Sequence, residues 1–370
     1  MDYYTLGSTG LKVSRLALGT MTFGDDWGWG ANDETSRDIF DAYILAGGNF
    51  FDTADMYTDG NSERMLGKYI KDAGLRDKAV IASKFSYNAE PGNPNAGGNG
   101  RKNIMRAVEG SLERLGTDYI DLYILHTWDR VTPAEEVMRT FDDLVSSGKV
   151  RHVGLSDSPA WYAARAQTLA EMRGYEKLSA LQLEYSLTER NLEDEFTDLA
   201  TQHGMGIMAW SPLASGLLSG KYRPSQGSQP TGEGRLATTA GSGNAAFDKF
   251  TDRNWAIVAE LEKVADELDQ SMSQVAVNWV ANRPGVASVL VGATKVAQMQ
   301  DNLGALDFEI PSELLERLDA VSAREVRFPY SFFTPGMQAM LQGGATVGDK
   351  PASYLPDRIM TGEAAGVGSD

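Results

Sequence analysis

The sequence predicts a closed (β/α)8 TIM barrel, entered by an N-terminal hairpin and followed by a C-terminal extension. Three observations predict it. Short apolar segments alternate with helix-period segments eight times between about residues 13 and 303. Those segments are rich in β-branched and other apolar residues, as a parallel sheet buried on both faces requires. Residues able to carry chemistry stand at the C-terminal ends of successive segments, the end at which such barrels hold their sites. An open doubly wound sheet is the competitor, but it would use fewer repeats and a Gly-rich first turn.

In order, residues 1–12, with Gly7-Ser8-Thr9-Gly10, form the entering hairpin, and Val13 to Met21 the first strand, ending in Gly19-Thr20-Met21. An aromatic, Gly-rich loop follows, with Phe23, Trp27 and Trp29, and Asp33-Glu34-Thr35 opens a helix to about Ala46. Acidic residues in a first turn suit the helix dipole. Strand–helix pairs then recur at 49–54 and 61–72, 79–84 and 102–115, 119–126 and 133–147, 150–156 and 158–172, and 180–186 and 192–202. The last two pairs are 206–211 with 251–268, and 287–292 with 296–303. Between 214 and 250 lies a Gly/Ser/Thr/Pro-rich stretch, read as a long loop on the mouth face, and loops of that length are commonly functional. The barrel domain is taken as 1–325. The extension 326–370 holds a helix-like apolar piece at 337–341 and a disordered end at 361–370.

Net charge is −17, from 34 basic and 51 acidic residues, which disfavours nucleic acid or an anionic membrane as partner. No cysteine is present, excluding disulfides, thiolate chemistry and Cys-based metal sites. The three histidines, 126, 152 and 203, are scattered, so no metal site is expected. His152 reads as an interior residue and His203, before Gly204, as part of a helix end. No apolar run approaches the roughly 20 residues of a membrane span, and the N-terminus lacks a secretion-signal pattern, so a cytoplasmic protein is expected. Gly241-Ser242-Gly243-Asn244-Ala245-Ala246 imitates a dinucleotide fingerprint but follows no strand and is discarded. The Gly-rich stretch 92–100 lacks the Lys-Ser/Thr pair of a P-loop and reads as a flexible connection.

The chemistry concentrates in Asp52, Lys84 and His126, each closing a strand, with Tyr57 in the loop after the first. A free phenol, pKa about 10, is a reluctant acid at neutral pH. A neighbouring ammonium stabilises its anion; Asp52 would hold that ammonium, and His126 would hydrogen-bond the oxygen that receives the proton. These four make a proton-donor site that lacks an electron source. Later strand ends offer room for one: Ser156-Asp157, Gln182, Trp210-Ser211-Pro212-Leu213 and Gly292-Ala293-Thr294-Lys295. An indole stacks on flat rings, Ser and Gln side chains hold a carboxamide, and the small residues Ser215 and Gly216 let backbone approach phosphates. Lys295 opens a helix, where an anion is favoured.

Over about residues 3–325 the chain resembles an aldo-keto reductase. The matching stretches are Leu18-Gly19-Thr20-Met21, Asp52-Thr53-Ala54 with Tyr57, Ser83-Lys84, Asp121-Leu122-Tyr123 leading to His126, and Gly154-Leu155-Ser156. They continue in Gln182 with Tyr185-Ser186-Leu187, Ala209-Trp210-Ser211-Pro212-Leu213, Gly216, Gly220-Lys221-Tyr222, Gly292-Ala293, Gln298 and Asn302. The resemblance implies NADP(H) lying across the strand ends and hydride transfer to an aldehyde or ketone. By it, Asp52, Tyr57, Lys84 and His126 form a catalytic tetrad with Tyr57 the acid. Ser156 and Gln182 hold the carboxamide, Trp210 stacks on the nicotinamide, and Ser211, Leu213, Ser215 and Lys221 line the pyrophosphate. Thr294, Lys295 and Gln298 meet the 2′-phosphate, and Asp301 and Asn302 the adenine. Two departures stand out: Asp157 where the family commonly has Asn, and Thr294-Lys295 where it often has Arg, a point charge in place of a bidentate fork. Phe23, Trp27, Trp29 and Trp128 are expected to wall a pocket for a small carbonyl substrate. The oligomeric state stays open. So do two alternatives: an NADP-binding regulatory subunit, and physiological oxidation of a sugar or natural-product hydroxyl.

Overall fold

The computed structural model describes residues 1–224, 234–239, 248–343 and 345. Eight parallel strands close into a barrel: β3 (Leu16–Gly19), β4 (Phe50–Asp52), β5 (Val80–Phe85), β6 (Ile120–Leu125), β7 (Val150–Ser156), β8 (Leu178–Glu184), β9 (Gly206–Trp210) and β10 (Val286–Val291). β10 pairs with both β9 and β3, which completes the ring. Before it, β1 (Tyr3–Thr5) pairs antiparallel with β2 (Lys12–Ser14). The expected strand from Val13 to Met21 is therefore divided. The chain turns at Arg15, whose backbone N–H donates to Asp2 and whose guanidinium reaches the Ala281 carbonyl, so Val13 belongs to the hairpin and Leu16 to the barrel.

The helices are α1 (Asp33–Leu45), α2 (Asn61–Asp72), α3 (Arg101–Leu115), α4 (Ala134–Ser146), α5 (Ala160–Arg173), α6 (Phe196–His203), α7 (Arg235–Thr239), α8 (Asp252–Leu268), α9 (Met272–Ala281), α10 (Val296–Leu303), α11 (Ser312–Val321) and α12 (Pro335–Leu341). Local chemistry sets their ends. Asn32 caps α1 by accepting from the Thr35 N–H, and Asp33 and Glu34 fill its first turn. Gly204, at φ +69°, ends α6 after His203. α9 escaped the sequence reading, although Ser271 and Gln274 form a reciprocal capping box at its start. α7 and a short turn at 214–219 interrupt what was expected to be loop. Residues 225–233 and 240–247 of that stretch, including the fingerprint imitation, lie outside the described residues, as does the tail 361–370.

Apolar side chains divide between two cores. Inside the barrel, Ala17, Phe50, Val80, Ala82, Leu122, Ile124, Ala180, Met208 and Leu290 pack together with Leu6 and Val13 of the hairpin. Outside it, the opposite strand faces pack against the helices through residues such as Phe51, Tyr123, Phe141, Ile207 and Trp279. β5, β6 and β10 are buried along their whole length, as strands covered on both faces must be. Two compact units partition the chain, residues 1–324 and 325–370. In the second, a turn at Tyr330–Phe332 precedes α12, whose N-cap is Thr334.

Candidate active site

Asp52 is the last residue of β4 and pairs in register with Ala82 of β5. Ala82 faces the barrel interior, so two residues on Lys84 does also. The Lys84 ammonium is fully buried and directs its three hydrogens to Asp52 Oδ1 at 2.6 Å, the Thr53 carbonyl at 2.8 Å and Tyr57 Oη at 3.1 Å. That satisfies every donor it has. Tyr57 begins a short turn in which Thr58 and Asp59 take left-handed backbone, φ +46° and +54°. Thr58 Oγ1 fixes the turn by donating to the Phe23 carbonyl and accepting from the Ser62 N–H. Gln182, at the mouth end of β8, donates from Nε2 to Asp52 Oδ2 at 2.7 Å.

His126 follows β6, its backbone N–H held by the Phe85 carbonyl at 2.8 Å. Its ring stands edge-on between two phenols, 5.7 Å from the Tyr57 ring and 5.0 Å from Tyr87. Nδ1 is buried without a hydrogen-bond partner, which leaves Nε2 for a ligand. Burial, with the Lys84 charge nearby, holds the imidazole well below its usual range, so it is neutral. Burial pushes the Tyr57 phenol up, and this outweighs the stabilising pull of Lys84. Tyr57 thus keeps its proton at neutral pH, where the sequence alone suggested a net lowering by lysine. Burial disfavours the Lys84 ammonium, but Asp52 and Tyr57 reverse this and leave it above its ordinary value. Burial lifts the Asp52 carboxyl against the opposing pull of Lys84 and Gln182. The arrangement stores one phenolic proton beside a fixed cation and a neutral imidazole, and can deliver that proton to one oxygen.

Tyr57 and His126 line a cavity of about 600 Å³ that also takes in Gly19, Met21, Asp52, Ser156, Asp157, Gln182 and Trp210. A second cavity, of about 520 Å³, is lined by Ser211, Pro212, Leu213, Ser215, Gly216 and Lys221, and across from them by Gly292, Thr294, Gln298, Asp301 and Asn302. Thr22, Ser215, Arg235 and Gly292 belong to both. Left-handed backbone clusters around the shared Ser215: Ser211, Ala214 and Ser215 all have φ between +48° and +57°. The end of the Lys221 side chain lies across Gly216, whose φ of +92° is a backbone conformation that favours glycine.

The aldo/keto reductase family model matches residues 15–323. The chain belongs to the aldo/keto reductase family. It is 36% identical over 331 residues to the uncharacterized oxidoreductase YrpG of Bacillus subtilis, covering 87% of this chain and 96% of that protein. It is 33% identical over 347 residues to an aryl-alcohol dehydrogenase [NADP(+)] of Phanerodontia chrysosporium, covering 88% and 87%. It is 34% identical over 337 residues to a probable voltage-gated potassium channel subunit beta of Arabidopsis thaliana, covering 90% and 100%. Aldo/keto reductases use nicotinamide cofactors, and oxidoreductases stand among the relatives.

Several expected positions fall elsewhere in this aldo/keto reductase. Phe23 is fully buried against Tyr69 and offers a ligand no surface. Trp128 packs on Trp161 and Tyr162 rather than on the tetrad cavity. Trp29 lines the second cavity, 4.9 Å beneath the Arg235 guanidinium, and Trp27 leans on Trp29. Thr20 is buried, its hydroxyl donating to the Asp52 carbonyl. Lys295 is exposed at the N-cap of α10, beside but outside the second cavity's lining. Asp157, at φ +39°, accepts from the Trp210 indole N–H at 3.1 Å. Its carboxyl keeps accessible surface at the mouth, yet protein surrounds it on most sides, and lost solvation pushes it up to about 6.

The lining residues that sequence reasoning missed include Tyr87, Arg235 and Glu184. Tyr87 lies three residues past Lys84, a position comparable to Tyr57 after Asp52, and that was its available signal. Glu184 ends β8 and pairs with Lys249 at 2.8 Å. Arg235 sits in the stretch read as loop and gave no signal. Among the described residues, no helix is long and apolar enough to cross a membrane, and no cluster of three or more His, Asp or Glu could hold a metal.

Proposed function

We propose that this chain is an NADP(H)-dependent oxidoreductase that reduces aldehydes or ketones to alcohols by hydride transfer, with Tyr57 as the general acid. The observation that carries the reading is the Lys84 ammonium, buried and bonded to both Asp52 and the Tyr57 hydroxyl at the foot of an open cavity. The residues present fit the dinucleotide. Ser156 Oγ is buried at the cavity without a hydrogen-bond partner, the donor a carboxamide oxygen lacks in an apolar wall. Ser156, Asp157 and Gln182 would hold the carboxamide, and Trp210, its indole tethered by Asp157, would present a ring face to the nicotinamide. Ser211, Leu213, Ser215 and Lys221 would hold the diphosphate, and Thr294, Lys295 and Gln298 the 2′-phosphate. Asp301 and Asn302 would meet the adenine. When bound, the dinucleotide supplies the hydride.

This chain's own residues manage the proton. A carbonyl oxygen placed between Tyr57 and neutral His126 receives a hydrogen bond from each. As negative charge builds on that oxygen, Tyr57 releases its proton to it, and Lys84 stabilises the phenolate left behind. Asp52, held by Gln182, keeps the ammonium in place. Tyr57, Tyr87, His126, Met21 and Met56 give the cavity flat and polarisable walls, suited to an aromatic carbonyl compound. The NADP(+) and the aryl-alcohol in one relative's name support both the cofactor and that substrate class.

The test is NADPH consumption, followed by absorbance, against aromatic aldehydes, quinones, sugars and ketosteroids, with NADH in parallel. Consumption with at least one carbonyl, lost in Tyr57→Phe, supports the reading. A second reading, an NADP-binding regulatory subunit, draws on the likeness to the potassium channel subunit. Retained NADPH binding without turnover on any carbonyl, or on any alcohol with NADP⁺, would favour it.

A further inference from the structure

The Gly-rich stretch after β5, expected as a flexible connection, is tied down at one corner. Ser86 directly follows β5 with φ +141°, a conformation L side chains rarely adopt. It persists because its neighbours over-determine it. Ser86 Oγ donates to Asn99 Oδ1 at 2.6 Å and accepts from the His126 N–H at 3.1 Å and the Thr127 N–H at 3.4 Å. The Ser86 carbonyl accepts from the Gly98 N–H at 2.7 Å. Asn99 is fully buried: its Nδ2 donates to the Thr127 carbonyl at 2.9 Å, and its backbone N–H to Asp129 Oδ2 at 2.8 Å. Asp129 is itself fixed by the Thr132 hydroxyl and by the N–H groups of Val131 and Thr132. Gly98 passes close by, at φ +78°, and a Cβ there would come within 3.3 Å of Asp129 Oδ2.

Two site residues leave this corner. His126 is held through its backbone N–H, which Ser86 Oγ shares with the Phe85 carbonyl, and Tyr87 is the next residue after Ser86. The Tyr87 and His126 rings meet edge to face at 5.0 Å and both line the tetrad cavity. His126 has no hydrogen bond at Nδ1 to orient its ring. Its aim therefore rests on its backbone anchor and on the two phenols that flank it.

We infer that Asn99 is a positioning residue for the carbonyl end of the site, fixing both His126 and the Tyr87 wall through Ser86. It touches neither cavity and does no chemistry itself. The inference rests on the oxidoreductase reading for its kinetic consequence but not for its structural one. Without the Asn99 side chain, Ser86 Oγ loses its acceptor, the corner relaxes toward ordinary backbone, and the imidazole and phenol shift together.

The test uses the full chain with Asn99→Ala, Ser86→Ala and the double variant. Ring-proton NMR reads His126 directly, because the protein has only three histidines. In Asn99→Ala the His126 ring signals are expected to move while those of His152 and His203 stay. For an aryl aldehyde, kcat/KM is expected to fall roughly ten- to a hundredfold, as a small misplacement of a catalytic group produces, with the NADPH Kd within about twofold of wild type. The double variant is expected to match the worse single variant, because both act through one contact. Unmoved His126 signals together with unchanged kcat/KM would overturn the inference. So would a parallel loss of kcat/KM and NADPH affinity with His126 unmoved, the mark of a merely destabilised fold. If Asn99→Ala does not fold, Ser86→Ala is read the same way. A wild type inert toward every carbonyl would sink the oxidoreductase reading while the NMR comparison still decided this one.

Discussion

Replacing Lys84 by methionine separates the stabilising role of its ammonium from its chemical one. The side chain is buried and has three acceptors, and its loss leaves the Asp52 carboxylate with Gln182 as its remaining side-chain donor. Removing one partner of a buried ion pair costs about 3–5 kcal/mol, because the other charge stays behind unpaired. Lys84→Met is therefore expected to lower unfolding stability by that amount at neutral pH, and by less at acidic pH, where Asp52 takes up a proton. Adding Asp52→Asn removes the orphaned charge and keeps an oxygen for Gln182 Nε2. Since replacing both members of a buried pair by neutral groups is often close to neutral, the double variant is expected to regain most of the loss, roughly 2–4 kcal/mol. Turnover is not expected to return. Tyr57 lacks its cation in both variants, and the loss of a positioned, activated acid is worth roughly 10²–10⁴ in rate. Urea unfolding and NADPH absorbance read the two roles independently. A double variant as unstable as the single one, or one that regained turnover, would refute the reasoning.

Other outcomes follow from the same geometry. Tyr57→Phe is expected to reduce turnover by about 10²–10⁴ with NADPH affinity nearly unchanged, and an equal loss of both in fluorescence titration and kinetics would contradict the role of Tyr57 as acid. Asp55 is buried near Glu63 with Oδ1 unpartnered, and burial first, then Glu63, raise its carboxyl from 3.8 to about 7. The folded state then holds a proton that the unfolded state has released, so stability falls as pH rises from about 4 to 7, by roughly 4 kcal/mol at most. Asp55→Asn is expected to raise the unfolding midpoint above pH 7 and leave it nearly unchanged at pH 4; a midpoint lowered at both would place the carboxylate in a stabilising contact. Lys295→Ala is expected to weaken NADPH by roughly fivefold and NADH hardly at all, a single point-charge contact to phosphate being worth about 1 kcal/mol. Equal effects on both dinucleotides would move the 2′-phosphate contact elsewhere.

The grouping of Asp52, Lys84 and His126 was legible because each stands at or beside the C-terminal end of a strand, and parallel strands bring all those ends to one rim. Tyr57 could be added because it follows the first of them at short range. Contacts between distant parts of the chain were not legible. The bond from Gln182 to Asp52 spans 130 positions, and Asn99 meets Asp129 thirty positions away. Neither pair announces itself by spacing. Aromatic residues misled for a physical reason. Phe23 and Trp128 follow strand ends as expected, but an apolar ring there satisfies the hydrophobic effect equally well against helices, and Tyr69 and Trp161 receive them. The split at Arg15 was hidden because Val13 and Leu16 are both apolar, and the hydrogen bonds of Ser14 and Arg15 between them mark the corner.

The hairpin of β1 and β2 closes the end of the barrel away from the tetrad. Leu6 and Val13 enter the interior core, and the Ser8 N–H bonds the Gly204 carbonyl just before β9 begins. Among the described residues, Tyr57 faces the cavity at the opposite rim. For handling the molecule this is useful geometry. A surface linker, affinity handle or fluorophore joined ahead of Tyr3 would sit at the sealed base, so the chain could be immobilised there with its working face turned to solution.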